Sequence, residues 1–289
     1  FVDSEPETLQ MKVSDIKKAI TKKTKAICMV HVLGNAGYIN EVKAICKKKK
    51  LWLIEDTCES LGVKNKNKYL GTFGDIGTFS FYFSHHITTV EGGMIVTNND
   101  YIANKIMSLR SHGWTRDMKN ASYYEKKFPD IDPRFLFVNV GYNLRSTDMN
   151  AAIGLVQLKK LEKFNQRRHD IGKIWNEAFK NLAIKKLIQP MRITKNTKAS
   201  WFGFPIICET QEIRDNLRTH LENNGIETRP IICGNMTKQP GIKNIKYRVS
   251  GNLVGADIIM DRGIFWGSSP DMTKSEVNYV IKIVNKFFS

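Results

Sequence analysis

Over its first 110 residues the sequence alternates short apolar runs with amphipathic helical stretches, a pattern that few folds accept. Ala26-Ile27-Cys28-Met29-Val30 is an unbroken apolar run of strand length. Leu51-Trp52-Leu53-Ile54 is a second, and it ends in the acidic pair Glu55-Asp56. Residues 41–50 have helical spacing between them, and Ser14-Asp15 opens a short helix through Ile16, Ala19 and Ile20. Residues 77–82 and 94–97 read as further strands and 100–111 as a helix. Unbroken apolar strands joined by helices predict an open, mainly parallel sheet covered by helices, an α/β fold.

A long helical pattern starts at Ser146 and runs through Ala151, Ile153, Val156, Leu158 and Leu161 to Phe179, with a break. It leads into a strand over 201–208, a helix over 212–223 closed by Gly225, and a strand over 226–232. Thr273-Lys274-Ser275-Glu276 is a capping box that opens a last helix. The predicted organisation is a large domain over 1–165 and a smaller α+β domain over 166–289. No internal repeat is visible.

Forty-five Lys and Arg against 28 Asp and Glu leave a net charge of +17. The lysines are spread along the chain, no helix is uniformly basic, and no zinc-finger spacing occurs, so a nucleic-acid partner is not expected. A solvated lysine-rich surface accounts for the charge, and a phosphorylated small ligand would satisfy the same electrostatics. No run of 18 apolar residues is present, which excludes a helical membrane span. The five cysteines, Cys28, Cys46, Cys58, Cys208 and Cys233, are scattered and odd in number. They argue against a disulfide framework and for a reducing, cytoplasmic compartment.

Ligands of parallel sheets bind beyond the carboxyl ends of the strands, and three polar clusters fall at such ends. The first is Glu55-Asp56-Thr57-Cys58-Glu59-Ser60, where an acid either caps the next helix or holds a protonated ring nitrogen or a ribose. The second is Ser80-Phe81-Tyr82-Phe83-Ser84-His85-His86-Ile87-Thr88-Thr89 with Glu91-Gly92-Gly93. Neighbouring histidines on an extended segment point opposite ways, and no nearby group completes a zinc set, so a polar pocket is the better account. The third is Gly141-Tyr142-Asn143-Leu144-Arg145, just before the long helix. Ser111-His112-Gly113-Trp114-Thr115-Arg116 adds an aromatic and a guanidinium suited to a base or a phosphate, or simply an arginine on a loop.

Taken together, E-D-x-x-x-S at Asp56, G-D-I-G-x-F-S-F, E-G-G-M-I-V-T, and G-Y-N-x-R followed by A-A-I-G-x-x-Q-L-x-x-L resemble the sugar aminotransferase family. The resemblance covers essentially the whole chain. It implies the aspartate-aminotransferase fold of pyridoxal-phosphate enzymes that act on nucleotide-linked keto sugars. Two departures are informative. Where the family's S-F-x-x-x-K carries the lysine that binds the cofactor covalently, counting from Ser80 leads to His85. A histidine cannot make that bond. S-F-Y-F-S-H-H-I, H-G-W-T-R at 112–116, W-F-G-F at 201–204 and G-I-E-T-R-P at 225–230 resemble the dehydratase branch of the family. The second departure is that Phe1-Val2-Asp3 matches a point beyond the family's phosphate-cradling N-terminal stretch. That implies a chain lacking roughly a quarter of a full enzyme, a difference that length alone allows.

By resemblance, the reaction is the 3-dehydration of a nucleotide-linked 4-keto-6-deoxyhexose with pyridoxal or pyridoxamine phosphate and L-glutamate, in dideoxysugar and lipopolysaccharide biosynthesis. His85 is then the base. Asp56 holds the pyridine nitrogen proton, Ser80 meets the cofactor phosphate, and Glu59 lies beside the ring. Trp114 and Arg116 meet the nucleotide, and Glu227 and Arg229 the sugar. Asn143 and Arg145 reach the neighbouring subunit's site in a homodimer, Asn143 toward the cofactor and Arg145 toward the substrate. A related dehydratase type adds an iron–sulfur cluster and a reductase. The cysteines here show no C-x-C or C-x-x-C pair, so no cluster is expected. The alternatives are action on another keto sugar, or a non-catalytic sugar-nucleotide-binding homologue.

Overall fold

Residues 1–289 are described by a computed structural model. The first two apolar runs lie side by side as parallel strands, β1 (Ala26–Val30) and β2 (Trp52–Asp56). After a small hairpin of β3 (Lys64–Asn65) and β4 (Lys68–Tyr69), β5 (Ile76–Ser80) pairs parallel to β2. β6 (Gly93–Val96) then turns back antiparallel to β5, giving the order β1-β2-β5-β6. Ile27, Met29 and Leu53 face helices α1 (Val13–Ala19) and α2 (Ile39–Lys49), where Ile16, Ile39 and Val42 complete a core. The opposite face leaves Cys28 and Val30 exposed, so β1 alternates rather than being buried on both sides.

α3 (Asp100–Leu109), capped by Asn99, leads to α4 (Ala121–Lys127) and then α5 (Asp148–Leu158). The long helical pattern breaks at Lys159-Lys160, and α6 (Leu161–Ala178) starts afresh. α7 (Lys180–Ile184) precedes a second sheet of β7 (Ile188–Pro190), β8 (Gly203–Cys208), β9 (Thr228–Arg229) and β10 (Gly263–Gly267). Its order is β7-β8-β10-β9, antiparallel throughout. α8 (Gln211–Asn223) and α10 (Lys274–Phe288) pack on it with α6, joining Trp175, Leu217 and Val280 to Phe204, Ile206 and Trp266. α9 (Val254–Arg262) runs directly into β10.

Three strand expectations are corrected. The strand predicted over 226–232 shrinks to Thr228–Arg229, because Pro230 has no N–H for the ladder. The one predicted from 201 starts at Gly203, because Trp201 and Phe202 give their carbonyls to side chains. The one predicted to reach Tyr82 stops at Ser80, and the chain turns there with His85 N–H bonded to the Tyr82 carbonyl at 3.0 Å.

Candidate active site

Strand alternation divides the acidic pair at the end of β2. Glu55 follows Leu53 onto the inner face and is completely buried. Its carboxylate accepts from the Gly71, Phe73 and Gly74 amides at 2.9, 2.7 and 2.6 Å and lies 3.2 Å from His31 Nε2. Burial alone would push this acid up, but His31 and the amide donors outweigh it and hold it below the usual range. Asp56 turns the other way. One of its oxygens takes the Cys58 N–H at 3.0 Å.

Asp56 opens into a cavity of about 720 Å³ that also takes Glu59 and His85. The rest of the lining is mostly apolar, including Cys28, Val30 and Ile231, and no lysine is among the lining residues. Glu59 bonds the Leu33 N–H at 2.9 Å, and burial pushes its carboxyl up to about 7, with Asp56 pushing the same way. Burial lowers His85 below the ordinary imidazole value, while Asp56 pulls weakly upward. Its imidazole is therefore neutral at pH 7 and able to accept a proton.

The loop that carries His85 rests on the segment 199–202, which crosses between the two sheets. Ser200 and Phe202 donate N–H bonds to the carbonyls of Gly34 and Leu33. All four carbonyls of the segment accept from buried side chains. His169 Nδ1 meets Ala199 at 2.9 Å, His86 Nε2 meets Ser200 at 3.0 Å, and Arg168 meets Trp201 and Phe202 at 3.2 and 3.1 Å. A Cβ at Gly34, where φ is +88°, would lie 1.8 Å from the Ser200 oxygen, so only glycine permits this approach. The Phe202 ring stands edge-on to His85 with centroids 5.2 Å apart. His85 and His86 do not converge, since one meets the cavity and the other the Ser200 carbonyl.

The other residues singled out in the sequence lie outside this cavity lining. Ser80 ends β5 opposite Gly93, and its hydroxyl accepts from Tyr82 N–H at 3.2 Å. The Trp114 ring is covered by the Arg116 guanidinium at 4.1 Å and by a near-parallel Phe137 at 5.5 Å, so Arg116, rather than an open indole, faces solvent. Asn143 and Arg145 are exposed on the strand-like segment that pairs with Ser111 before α5. Glu227 and Arg229 form an exposed ion pair at 2.5 Å beside β9. Asn150 ties the start of α5 to the Glu91-Gly92-Gly93 turn through the carbonyls of Thr89 and Glu91.

His31 was not singled out by the sequence analysis, which gave Glu55 and Phe202 no role of their own. Only Glu55 left a signal, its i+2 spacing from Leu53.

The model of the DegT/DnrJ/EryC1/StrS aminotransferase family matches residues 1–285. The chain belongs to that family. Among family members, GDP-4-keto-6-deoxy-D-mannose 3-dehydratase of Escherichia coli O55:H7 is 37% identical over 289 residues, covering 98% of this chain and 73% of the relative. Lipopolysaccharide biosynthesis protein RfbH of Salmonella typhimurium is 37% identical over 302 residues, covering 100% and 68%. The E. coli GDP-4-keto-6-deoxy-D-mannose-3-dehydratase solved with bound hydrated PLP superposes with a TM-score of 0.88 at 35% identity, over 98% of this chain and 73% of that one. The chain thus spans 68–73% of the length of these relatives. The family's aspartate-aminotransferase-type fold, dependent on pyridoxal phosphate, is the fold observed.

Proposed function

We propose that this protein is a pyridoxal/pyridoxamine-phosphate-dependent 3-dehydratase of GDP-4-keto-6-deoxy-D-mannose, with L-glutamate as amino donor, in the biosynthesis of 3,6-dideoxysugars for lipopolysaccharide. One observation carries the choice within the family. The cavity that holds the strand-end aspartate contains a neutral histidine and no lysine.

The residues present fit the cofactor. Asp56 lines an apolar cavity large enough for a pyridine ring, and the Ser80 hydroxyl proton is uncommitted. Bound pyridoxamine phosphate supplies the amine that joins the C4 ketone and a ring that takes up an electron pair. Asp56 keeps a proton on the ring nitrogen. Ser80 bonds the phosphate and Glu59 lies beside the ring. His85 removes the proton at the cofactor C4′ carbon as the sugar's 3-hydroxyl departs. Lysine at this place would deliver the proton to sugar C4 and complete an amino transfer. Arg116, backed by Trp114, meets the nucleotide, and Glu227 and Arg229 meet the sugar once their mutual ion pair opens.

The site belongs to a homodimer, with Asn143 and Arg145 serving the neighbour. A row of uncovered apolar side chains supports this. Val140 (95% exposed), Tyr142, Leu144, Met149, Leu155 and Val156 flank those two residues and continue along α5. A patch of that kind marks an interface, and a second copy is the occupant proposed. No helix is long and apolar enough to cross a membrane, and all five cysteines are free thiols, as suits an enzyme of the cytoplasm.

The test is stoichiometric. The enzyme, given pyridoxal phosphate, L-glutamate and GDP-4-keto-6-deoxymannose, should release one 2-oxoglutarate and one ammonia per 3-deoxy sugar. Oxidation of glutamate's C–N bond supplies the two electrons that replace C–O by C–H. Nitrogen retained on the sugar, with no ammonia, would overturn the assignment in favour of amino transfer.

A further inference from the structure

His85 has no hydrogen bond to hold its ring. Its Nδ1 is buried and meets no donor or acceptor, and no carboxylate stands behind it. A working histidine is normally oriented by the acceptor on its second nitrogen. Here the orientation has to come from packing and from the main chain beneath. Tyr82 and Phe202 present ring edges to His85, with centroids 5.7 and 5.2 Å away. His86, the next residue, is 2% exposed and fastens the same turn to the Ser200 carbonyl at 3.0 Å.

We infer that His86 is a positioning residue for His85: by donating Nε2–H to the Ser200 carbonyl it fixes the turn against the crossing segment and keeps the His85 ring on the Phe202 edge. In the sequence His86 is expected only to face away from its predecessor. It does face away, onto the segment that also carries Phe202. A carbonyl accepts only from a protonated nitrogen, so His86 holds its proton on Nε2 and leaves Nδ1 bare. Burial, with Arg168 nearby, pushes His86 down to about 3 and so keeps its ring neutral across the working range. The groups around the histidine pair are Asp56 and Glu59 in the cavity, Arg168 from α6, and the Tyr82 and Phe202 rings.

The inference rests on His85 being the base, and the test separates the two. In isotope-labelled protein the His85 ring is titrated by NMR in wild type, His86→Leu and His86→Gln, without added cofactor. Gln can place an N–H where Nε2 was, and Leu cannot. His86→Leu should move the His85 midpoint up toward the ordinary value of 6.5 and broaden its ring signals, while His86→Gln stays with wild type. In turnover assays His86→Leu should lower kcat about 10- to 100-fold with KM unchanged, and Gln should restore most of it. Identical His85 titrations in wild type and His86→Leu, or equal losses in Leu and Gln, would overturn the inference. Should His86→Leu fail to fold, Phe202→Leu decides. It removes the ring against which His86 is inferred to hold His85, and an unshifted His85 there overturns the inference as well. A wild-type enzyme that makes an amino sugar would instead defeat the role of His85 and leave the NMR comparison standing.

Discussion

His31 Nε2 lies 3.2 Å from a Glu55 carboxylate oxygen, and neither side chain reaches solvent. The same carboxylate takes three backbone N–H groups of the 71–74 turn, so it joins β1, β2 and the approach to β5 beneath the cavity. Glu55→Gln offers an amide N–H where only an acceptor fits, and should cost about 3 kcal/mol. Because the folded protein holds this acid below its free value of 4.5, its contribution is complete above that pH and is lost as pH falls through the folded value. Urea denaturation between pH 3 and 7 should show wild type losing its advantage over Glu55→Gln at the acid end.

Glu59 has the opposite sign. Burial raises its carboxyl from 4.5 to about 7, so the unfolded chain gives up this proton first as pH rises. Its contribution should fall by about 3 kcal/mol between pH 4.5 and 8 and then level off. Glu59→Gln should remove that slope and be more stable than wild type at pH 8, as read by denaturant midpoints at both ends.

Removing the proposed base should separate binding from chemistry. His85→Asn should keep the absorbance of bound cofactor but lower 3-deoxygenation about 10²- to 10⁴-fold, the usual worth of a positioned base. Turnover at the wild-type rate would remove His85 from the reaction.

A shared site predicts complementation. Mixing inactive His85→Asn with inactive Asn143→Ala should return part of the activity in hybrid dimers, since one site of each hybrid has both native residues. Absence of any recovery, with subunit exchange confirmed by mass spectrometry, would mean self-contained sites.

Much of this was legible because it is local. The apolar runs gave β1 and β2 nearly to the residue, and the Thr273–Glu276 capping box begins α10 as predicted. The acidic strand end and His85 stood out by type and position, and both meet in one cavity. What could not be read depends on distant partners. Gly263–Gly267 is five residues that begin and end in glycine, directly after α9, and becomes a central strand only because β8 and β9 flank it. Trp201 and Phe202 have strand-forming side chains, yet His169, His86 and Arg168 occupy the carbonyls that a ladder would have used. Trp114 read as an open stacking surface because nothing in its neighbourhood announces Phe137, 23 positions on.

The crossing segment also bears on how a large substrate enters. Four consecutive carbonyls held by buried donors, two of its amides bonded to the Leu33–Gly34 turn, and a glycine contact with no room for one more carbon make a weld rather than a hinge. Swinging the C-terminal half outward would break the His86–Ser200 bond, both amide bonds to the Leu33–Gly34 turn and the glycine contact at once. A nucleotide sugar would then have to enter without parting the two sheets along this segment.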